Sequence, residues 1–480
     1  MLTRLEVTGF KNLVDTEIRF GPFTCIAGYN GVGKSNIFDA IRFISLLADH
    51  SFLEAAKLSR GGPDVSSLFT AGGDGVMRFE CDLITPLKGK DDFHQVAEAS
   101  HSFLTYLLEI ALVRDDQGFE RIELRQESLR YVTQHEAKTR LGFKSEREWR
   151  DSVIKKSHRR AKYIETIEEG GQTRIRLSTD KMRGGSKTKR GGGKPSDFLA
   201  STLPRTVLSA AQNADEARTA VLARAEMRSW RILQLEPSSL RVPDELDAPS
   251  SLTVGGRHLP ATLYRLASGP DGSRVLAEVS NRLAGLVDDV REIEVRRDDA
   301  RRLLQLVLTD ASGREFVAAS LSDGTLRFVA LSVIEADHAA TGLVCLEEPE
   351  NGIHPERMSA MMKLLADMAT DTSEAVDEAN PLRQVIVSTH SPVVVAHSDP
   401  NDLVFVDHRD APGAKPGQYR ALIARPCAGT WRMKVGDVVP IAKGEVIQYL
   451  GTLVPDADAA QTPTTYASVA EQLDLFGAGE

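Results

Sequence analysis

A chain of 480 residues with a net charge of −9, 41% hydrophobic and 26% charged residues has the make-up of a soluble globular protein of two or three domains or one interrupted domain, and its acidic balance excludes a general polyanion binder. Cys25, Cys81, Cys345 and Cys427 are scattered without a C-x-x-C pair, which indicates neither a disulfide framework nor a zinc site and suits a reducing compartment. The N-terminus lacks the apolar core of a signal peptide and no apolar run approaches a membrane span, so the expectation is a cytoplasmic protein with no membrane partner.

In chain order, residues 1–30 alternate like a hairpin. Leu2, Leu5 and Val7 lie on one strand, Lys11, Asn12 and Leu13 form the turn, and Ile18 and Phe20 lie on the next strand, before a buried strand at 23–27. Residues 28–36 then read Gly-Tyr-Asn-Gly-Val-Gly-Lys-Ser-Asn and fit G-x-x-x-x-G-K-[ST] through Gly28, Gly33, Lys34 and Ser35. Glycines at this spacing let backbone N–H groups close around a β-phosphate, the lysine reaches the β- and γ-oxygens, and the serine hydroxyl ligates Mg²⁺. Gly28, Asn30, Gly31, Gly33, Lys34, Ser35 and Asn36 are therefore candidate contacts to a nucleoside triphosphate. Ile37, Ile41, Ile44 and Ala48 share one face of the helix leading out.

Segments 76–83, 103–113 and 119–132 read as further strands of a β-rich lobe. From 138 to 194 the composition inverts, with eighteen Lys and Arg against seven Asp and Glu. The window ends in a Gly-Lys-Arg run carrying Arg183, Lys187, Lys189, Arg190 and Lys194. That run cannot bury enough apolar surface to order itself, and it reads either as a nucleic-acid-contacting arm or as a solvated loop. Residues 198–227 return to helical spacing, 232–241 read as a strand ending near Pro243, and 244–249 read as a linker. Leu263, Leu266, Val275, Val279, Leu283 and Val287 suggest helices, after which 293–296 and 303–308 resume strand character.

Ser322, Asp323 and Gly324 stand just before an apolar-periodic run, placing a capping serine and free N–H groups at a helix N-terminus, an anion site by geometry and dipole. Four apolar residues at 343–346 then carry Glu347 and Glu348 at the C-terminal end of a buried strand, where ligands of open α/β sheets bind. In this position Glu347 would hold the Mg²⁺ hydration shell and Glu348 would orient and polarise the attacking water. Met358, Met361, Met362, Leu365 and Met368 form a core stripe. A buried strand at 384–387 ends in Ser-Thr-His-Ser-Pro, bringing His390 to the same edge.

The phosphate loop, Ser-Asp-Gly, Glu-Glu-Pro-Glu-Asn-Gly-x-His-Pro and Ser-Thr-His-Ser-Pro, in this order, resemble the motifs of ABC-type ATPase heads of the RecF, SMC and OLD group. More narrowly, they resemble the bacterial "AAA family" ATPases of repair and anti-phage defence operons. The resemblance implies that Lys34 and Ser35 bind phosphate and Mg²⁺, that Glu347 and Glu348 form the Walker B pair, and that His390 is the switch histidine. It further implies that 321–325 is the signature motif, which contacts the γ-phosphate held by a second subunit, so that a homodimer or higher oligomer sandwiches ATP and Mg²⁺. The usual Leu-Ser-Gly-Gly-Gln appears here as Leu-Ser-Asp-Gly-Thr, the Walker B aspartate is Glu347, and the sequence assigns no glutamine to the Q-loop. The insertion is too short and too poor in heptads for a long coiled coil, and Asp407-His-Arg-Asp410 leaves too little chain for the TOPRIM nuclease of OLD proteins, so nuclease activity is not expected.

From 454 the chain is rich in Pro, Ala, Asp and Thr and reads as a flexible linker. It carries Gln472, Leu473, Asp474, Leu475 and Phe476, which resemble the peptide that bacterial repair and replication proteins dock on the sliding clamp. The expected fold is α/β: an ABC-type P-loop NTPase head with a β-rich N-terminal lobe and an inserted helical and basic region. The expected division is 1–132 (lobe with the phosphate loop), 133–245 (insertion), 246–453 (lobe with signature, acidic strand and histidine) and 454–480 (tail). Three functions fit this reading: a DNA-repair or replication-associated ATPase, a defence sensor or scaffold governing a separately encoded effector nuclease, and a slow nucleotide-gated binding module.

Overall fold

The phosphate-loop strand Phe23–Ala27 and the strand Arg383–Thr389 are buried at every position, as strands covered on both faces must be. They pair in parallel, Thr389 opposite Ala27, and the acidic strand Gly342–Glu347 pairs in parallel on the far side of Arg383–Thr389. The full six-stranded order is Arg231–Leu233, Gly342–Glu347, Arg383–Thr389, Phe23–Ala27, Leu403–Asp410 and Arg420–Pro426, with only the last pair antiparallel. This computed structural model describes residues 1–59, 64–114, 118–155, 157, 160–180, 195–287, 289–410, 420–436 and 438–451.

An eight-stranded antiparallel sheet lies over one face. Its order is Ser196–Leu199, Gln172–Leu177, Ile164–Glu169, Glu120–Tyr131, Phe103–Arg114, Val76–Ile84, Leu2–Thr8 and Thr16–Arg19. Helix Lys34–Leu47 sits between the sheets, and its Ile37, Ile41 and Ile44 join Leu5, Phe79, Ile26 and Ile386 in one core. The opposite face of the parallel sheet, through Cys25, Val344 and Val387, packs a second core against helices Leu259–Ala267, Gly272–Ala284, Asp323–Ala336 and Met358–Asp367. There the methionine stripe is buried as expected. All four cysteines are buried and free, and among the described residues no helix is long and apolar enough to cross a membrane.

Three expectations need correction. The segment 232–241 is not one strand: it stops at Leu233, and Pro237 starts a helical turn, Pro237–Leu240, because proline fits the first turn of a helix and interrupts a ladder. Helix in 198–227 begins only at Ala214, capped by Asn213. The insertion is not simply basic and then helical, since it holds helices Gln134–Arg140 and Arg147–Val153 and a hairpin, Ile164–Glu169 with Gln172–Leu177. Only the second strand alternates, Arg174-Ile175-Arg176-Leu177, while the first reads Ile-Glu-Thr-Ile-Glu-Glu, so the strand period is weak in this window. Its basic run, with Arg183, Lys187, Lys189, Arg190 and Lys194, lies outside the described residues, as do Gln472, Leu473, Asp474, Leu475 and Phe476.

Candidate nucleotide site

The site is built at the C-terminal edge of the parallel sheet. The chain leaves Ala27 and turns sharply at Gly28, where a Cβ would come within 2.7 Å of the Val406 carbonyl oxygen on the neighbouring strand. Gly31 and Gly33 have φ of 79° and 104°, the left-handed region that costs glycine least. A Cβ on Gly33 would also lie 2.4 Å from the Asn12 side-chain nitrogen. Gly33 precedes helix Lys34–Leu47 with no side-chain cap, which leaves its first N–H groups turned outward at the positive end of the dipole. Asn12 braces this loop from the N-terminal hairpin, donating to the Val32 carbonyl at 3.1 Å and accepting from Asn36 Nδ2 at 2.8 Å.

Lys34 Nζ donates to the carbonyls of Gly28 and Tyr29 at 2.7 and 2.9 Å. Burial pushes its pKa down, while the nearby carboxylates of Glu348 and Glu350 pull it up. Asn30, Gly31 and Ser35 are exposed along the rim of the loop.

On the acidic strand, Glu347 is half-buried and stands opposite Ser388. Glu348 has φ of 47°, a left-handed conformation that a non-glycine residue keeps only where its surroundings hold it. Its N–H donates to the Ser388 carbonyl at 2.8 Å, Oε1 lies 2.9 Å from His390 Nδ1, and Oε2 accepts from Asn351 Nδ2 at 2.8 Å. Glu350 is buried. It accepts from Thr389 Oγ1 at 2.5 Å through Oε1, while Oε2 finds no hydrogen-bond partner among the described residues. Burial pushes its carboxyl pKa up. The structure thus gathers Lys34, Glu348, Glu350 and His390 from three adjacent strands, although more than 300 residues of chain separate Lys34 from Glu348.

Sequence reasoning missed Gln234. It directly follows the edge strand Arg231–Leu233 and, with Glu347, Glu348, Asn351 and Arg327, lines a cavity of about 370 Å³. The parallel pairing of this strand with the acidic strand is the signal, and it can be seen only in three dimensions. Asn12, Glu350 and Asn351 were likewise given no role by the sequence.

Ser322, Asp323 and Gly324 start a helix as expected, with Ser322 Oγ accepting from the Thr325 N–H at 3.2 Å. The turn is tied to the loop after the acidic strand. A Cβ on Gly324 would lie 2.7 Å from the Gly352 carbonyl oxygen, and Arg327 Nη1 donates to the Asn351 carbonyl at 2.5 Å. Arg241 holds Asp323 at 2.5 Å and the Leu321 carbonyl at 3.0 Å. Among the described residues no hydrogen bond or ion pair joins 321–325 to 28–36 of the same chain.

A family model described as "AAA domain, putative AbiEii toxin, Type IV TA system" matches residues 131–396, and a second, described as "AAA domain", matches 4–56. The chain is similar to the "DNA replication and repair protein RecF" of Arthrobacter sp. (strain FB24), 25% identical over 169 residues, which cover 32% of this chain and 41% of that one. RecF of Parabacteroides distasonis is 39% identical over 51 residues, covering 10% of this chain and 14% of the relative. These matches thus span well under half the length of either relative. Among solved structures, an SmcHead bound to the C-winged helix domain of ScpA aligns over 88% of this chain and 97% of its own at 14% identity and a TM-score of 0.47. The SMC head domain from Thermotoga maritima aligns over 88% and 98% at 14% identity and a TM-score of 0.36. The first model covers more than half of the chain and contains the acidic strand and His390, so this protein belongs to the AAA-domain family of that description.

Proposed function

We propose that this chain is an ATPase whose heads close in pairs around ATP and Mg²⁺ and reopen on hydrolysis. The observation that carries the reading is the convergence of Lys34, Glu348 and His390 on one sheet edge, beside glycine-bound N–H groups. Lys34 would exchange its loop carbonyls for β- and γ-phosphate oxygens. Ser35 and Glu347 offer the oxygen donors that Mg²⁺ prefers. Among the described residues no cluster of His, Cys, Asp and Glu could hold a metal by itself, so the ion would arrive with the nucleotide. When bound, it would neutralise charge on the phosphates. Glu348, positioned by His390 and Asn351, would orient the water and take its proton, and Gln234 would face the γ-phosphate across the same cavity.

The signature turn is tethered away from its own phosphate loop, which supports its presenting Ser322 and the Gly324 N–H to the nucleotide of a second copy. Glu348→Gln should therefore accumulate as an ATP-bound dimer in size-exclusion chromatography with light scattering, while the wild type does so only transiently. A monomeric variant that turns ATP over at the wild-type rate would defeat both the base and the dimer assignment.

We assign the nucleotide cycle to DNA-associated repair or replication work, with segments 1–132 and 246–453 as the two halves of the head and 133–245 as the insertion. RecF similarity and the basic run at 183–194 support DNA contact, and the 472–476 peptide supports docking on a sliding clamp from the 454–480 tail. Neutralising Lys187, Lys189 and Arg190 should lower the salt dependence of DNA binding, and deleting 472–476 should remove clamp affinity; indifference to either change counts against that contact. The toxin–antitoxin wording of the matching family favours one other reading, control of a separately encoded effector. Copurification of such a protein with Glu348→Gln in ATP, without DNA, would select it.

A further inference from the structure

At the edge of the parallel sheet, a cavity of about 430 Å³ opens between strand Arg231–Leu233, helix Leu259–Ala267, the 250–252 loop and the C-terminal end of the signature helix. Two guanidinium groups, Arg231 and Arg265, line it together with the Asp337 carboxylate, and a third, Arg383, bonds the backbone nearby. Arg265 takes Asp337 Oδ2 at 2.6 Å and the Ser250 carbonyl at 2.8 Å, and Arg383 is consumed by the carbonyls of Ala340 and Asp337, both at 2.6 Å, and of Glu335 at 3.2 Å. The other oxygen of Asp337 accepts from the Ala339 N–H at 3.2 Å. Arg231 is left over. It lines the cavity half-buried, and among the described residues its guanidinium has no hydrogen bond or ion pair.

A half-buried guanidinium is less well hydrated than an exposed one, and Asp337, its nearby carboxylate, is already hydrogen-bonded by Arg265. Burial depresses Arg231, with Asp337 only partly opposing it, and burial likewise depresses Arg383, with Arg231 adding to it. The positive excess faces a space also lined by Ser250, Ser251 and Thr341. Guanidinium with several hydroxyls is the donor set that phosphoryl oxygens accept from, and the volume is that of a small-molecule site, larger than a single ion needs.

We propose that this cavity binds a phosphoryl group, as free phosphate or a phosphate monoester, with Arg231 as its principal partner and Arg265 beside it. It is separate from the phosphate loop. Arg231 opens the short strand that hands on to Gln234 in the nucleotide cavity, so the two sites share one structural element.

The test uses the full chain carrying Lys34→Ala, which removes phosphate binding at the nucleotide loop, and titrates inorganic phosphate and ribose 5-phosphate by calorimetry. Saturable binding to Lys34→Ala that weakens about tenfold or more when Arg231→Met is added supports the site. The tighter of the two probes identifies the source. Ser251→Asp offers an internal counter-ion at an exposed position of the cavity lining. It should raise the melting temperature without ligand and abolish the shift that phosphate gives. No binding by either probe, binding indifferent to Arg231→Met, or a Ser251→Asp protein that still responds to phosphate would each overturn the proposal. None of these outcomes bears on whether Lys34 and Glu348 hydrolyse ATP, so the two assignments fail separately.

Discussion

Glu127 and Glu350 are both buried carboxylates, held under opposite conditions. Glu127, in the antiparallel lobe, is fully satisfied: Oε2 accepts from the Val207 N–H at 2.7 Å, and Oε1 from the Leu208 N–H at 2.8 Å and the Tyr106 hydroxyl at 3.1 Å. Glu350, at the edge of the parallel sheet, has one side-chain donor, Thr389, and a buried oxygen left over, and its charge acts on Lys34. Satisfied polar groups specify a fold, whereas an unsatisfied one has its partner still to come or exists to act on a neighbour. The antiparallel lobe is scaffold by this criterion. The sheet edge is kept incomplete.

The most severe way to probe the contrast is Glu127→Ala. It would strand two buried N–H groups and a tyrosine hydroxyl and leave a cavity, costing about 5 kcal/mol. Urea unfolding should show the loss, together with release of the turn Leu208–Ala210 that Glu127 holds. A loss under about 1 kcal/mol would mean that the lobe repairs itself and that Glu127 is not its pin.

Next in size is Lys34→Ala, which acts on the incomplete side. Charge-assisted bonds to β- and γ-oxygens disappear, so affinity for a fluorescent ATP analogue should fall about a thousandfold. Stability should hardly move, because Lys34 bonds only to loop carbonyls in the fold. A variant that binds ATP normally would move the phosphate site elsewhere.

This asymmetry also explains what could be read before the structure was known. The phosphate loop, the acidic strand and the histidine strand are local patterns: apolar runs with glycine, carboxylate or histidine at fixed offsets, and each folded where its pattern placed it. Gln234, Asn12 and Glu127 carry no such signature. Asn12 meets Val32 and Asn36 across a hairpin, Glu127 meets Val207 and Leu208 after 80 residues and more of chain, and Gln234 reaches the acidic edge only through parallel pairing. The hairpin Ile164–Glu169 with Gln172–Leu177 escaped for a different reason: it lies inside the basic 138–194 window, and its first strand, with Glu165, Glu168 and Glu169, has no period of two.

A gentler probe is pH. Burial pushes Glu127 up to about 7 from its ordinary 4.5, against the pull of its two N–H donors. Between those values the folded chain keeps a proton that the unfolded chain has lost, so this contribution is fully present below 4.5 and declines as pH rises through about 7. Its full span is about 3 kcal/mol, and Glu127→Gln should flatten that part of the stability profile. A profile with the same slope in the variant would assign the pH dependence to other groups.

The smallest stability effect, and the sharpest separation of the two regions, belongs to Glu350→Gln. The amide keeps an acceptor for Thr389 and turns the partnerless oxygen into a donor, so the fold should change by no more than about 1 kcal/mol. Turnover should respond more. Burial lowers the pKa of Lys34, and Glu350, after Glu348, opposes that; the bond of Glu350 to Thr389 also sets the residue before His390, whose ring touches Glu348. Losing that charge should lower the rate of ATP hydrolysis about tenfold while ATP affinity changes less, a split that separates a positioning residue from a merely structural one. If stability fell as far as in Glu127→Ala and turnover did not change, Glu350 would belong with the scaffold, and the distinction between a completed lobe and an incomplete edge would have to be drawn elsewhere.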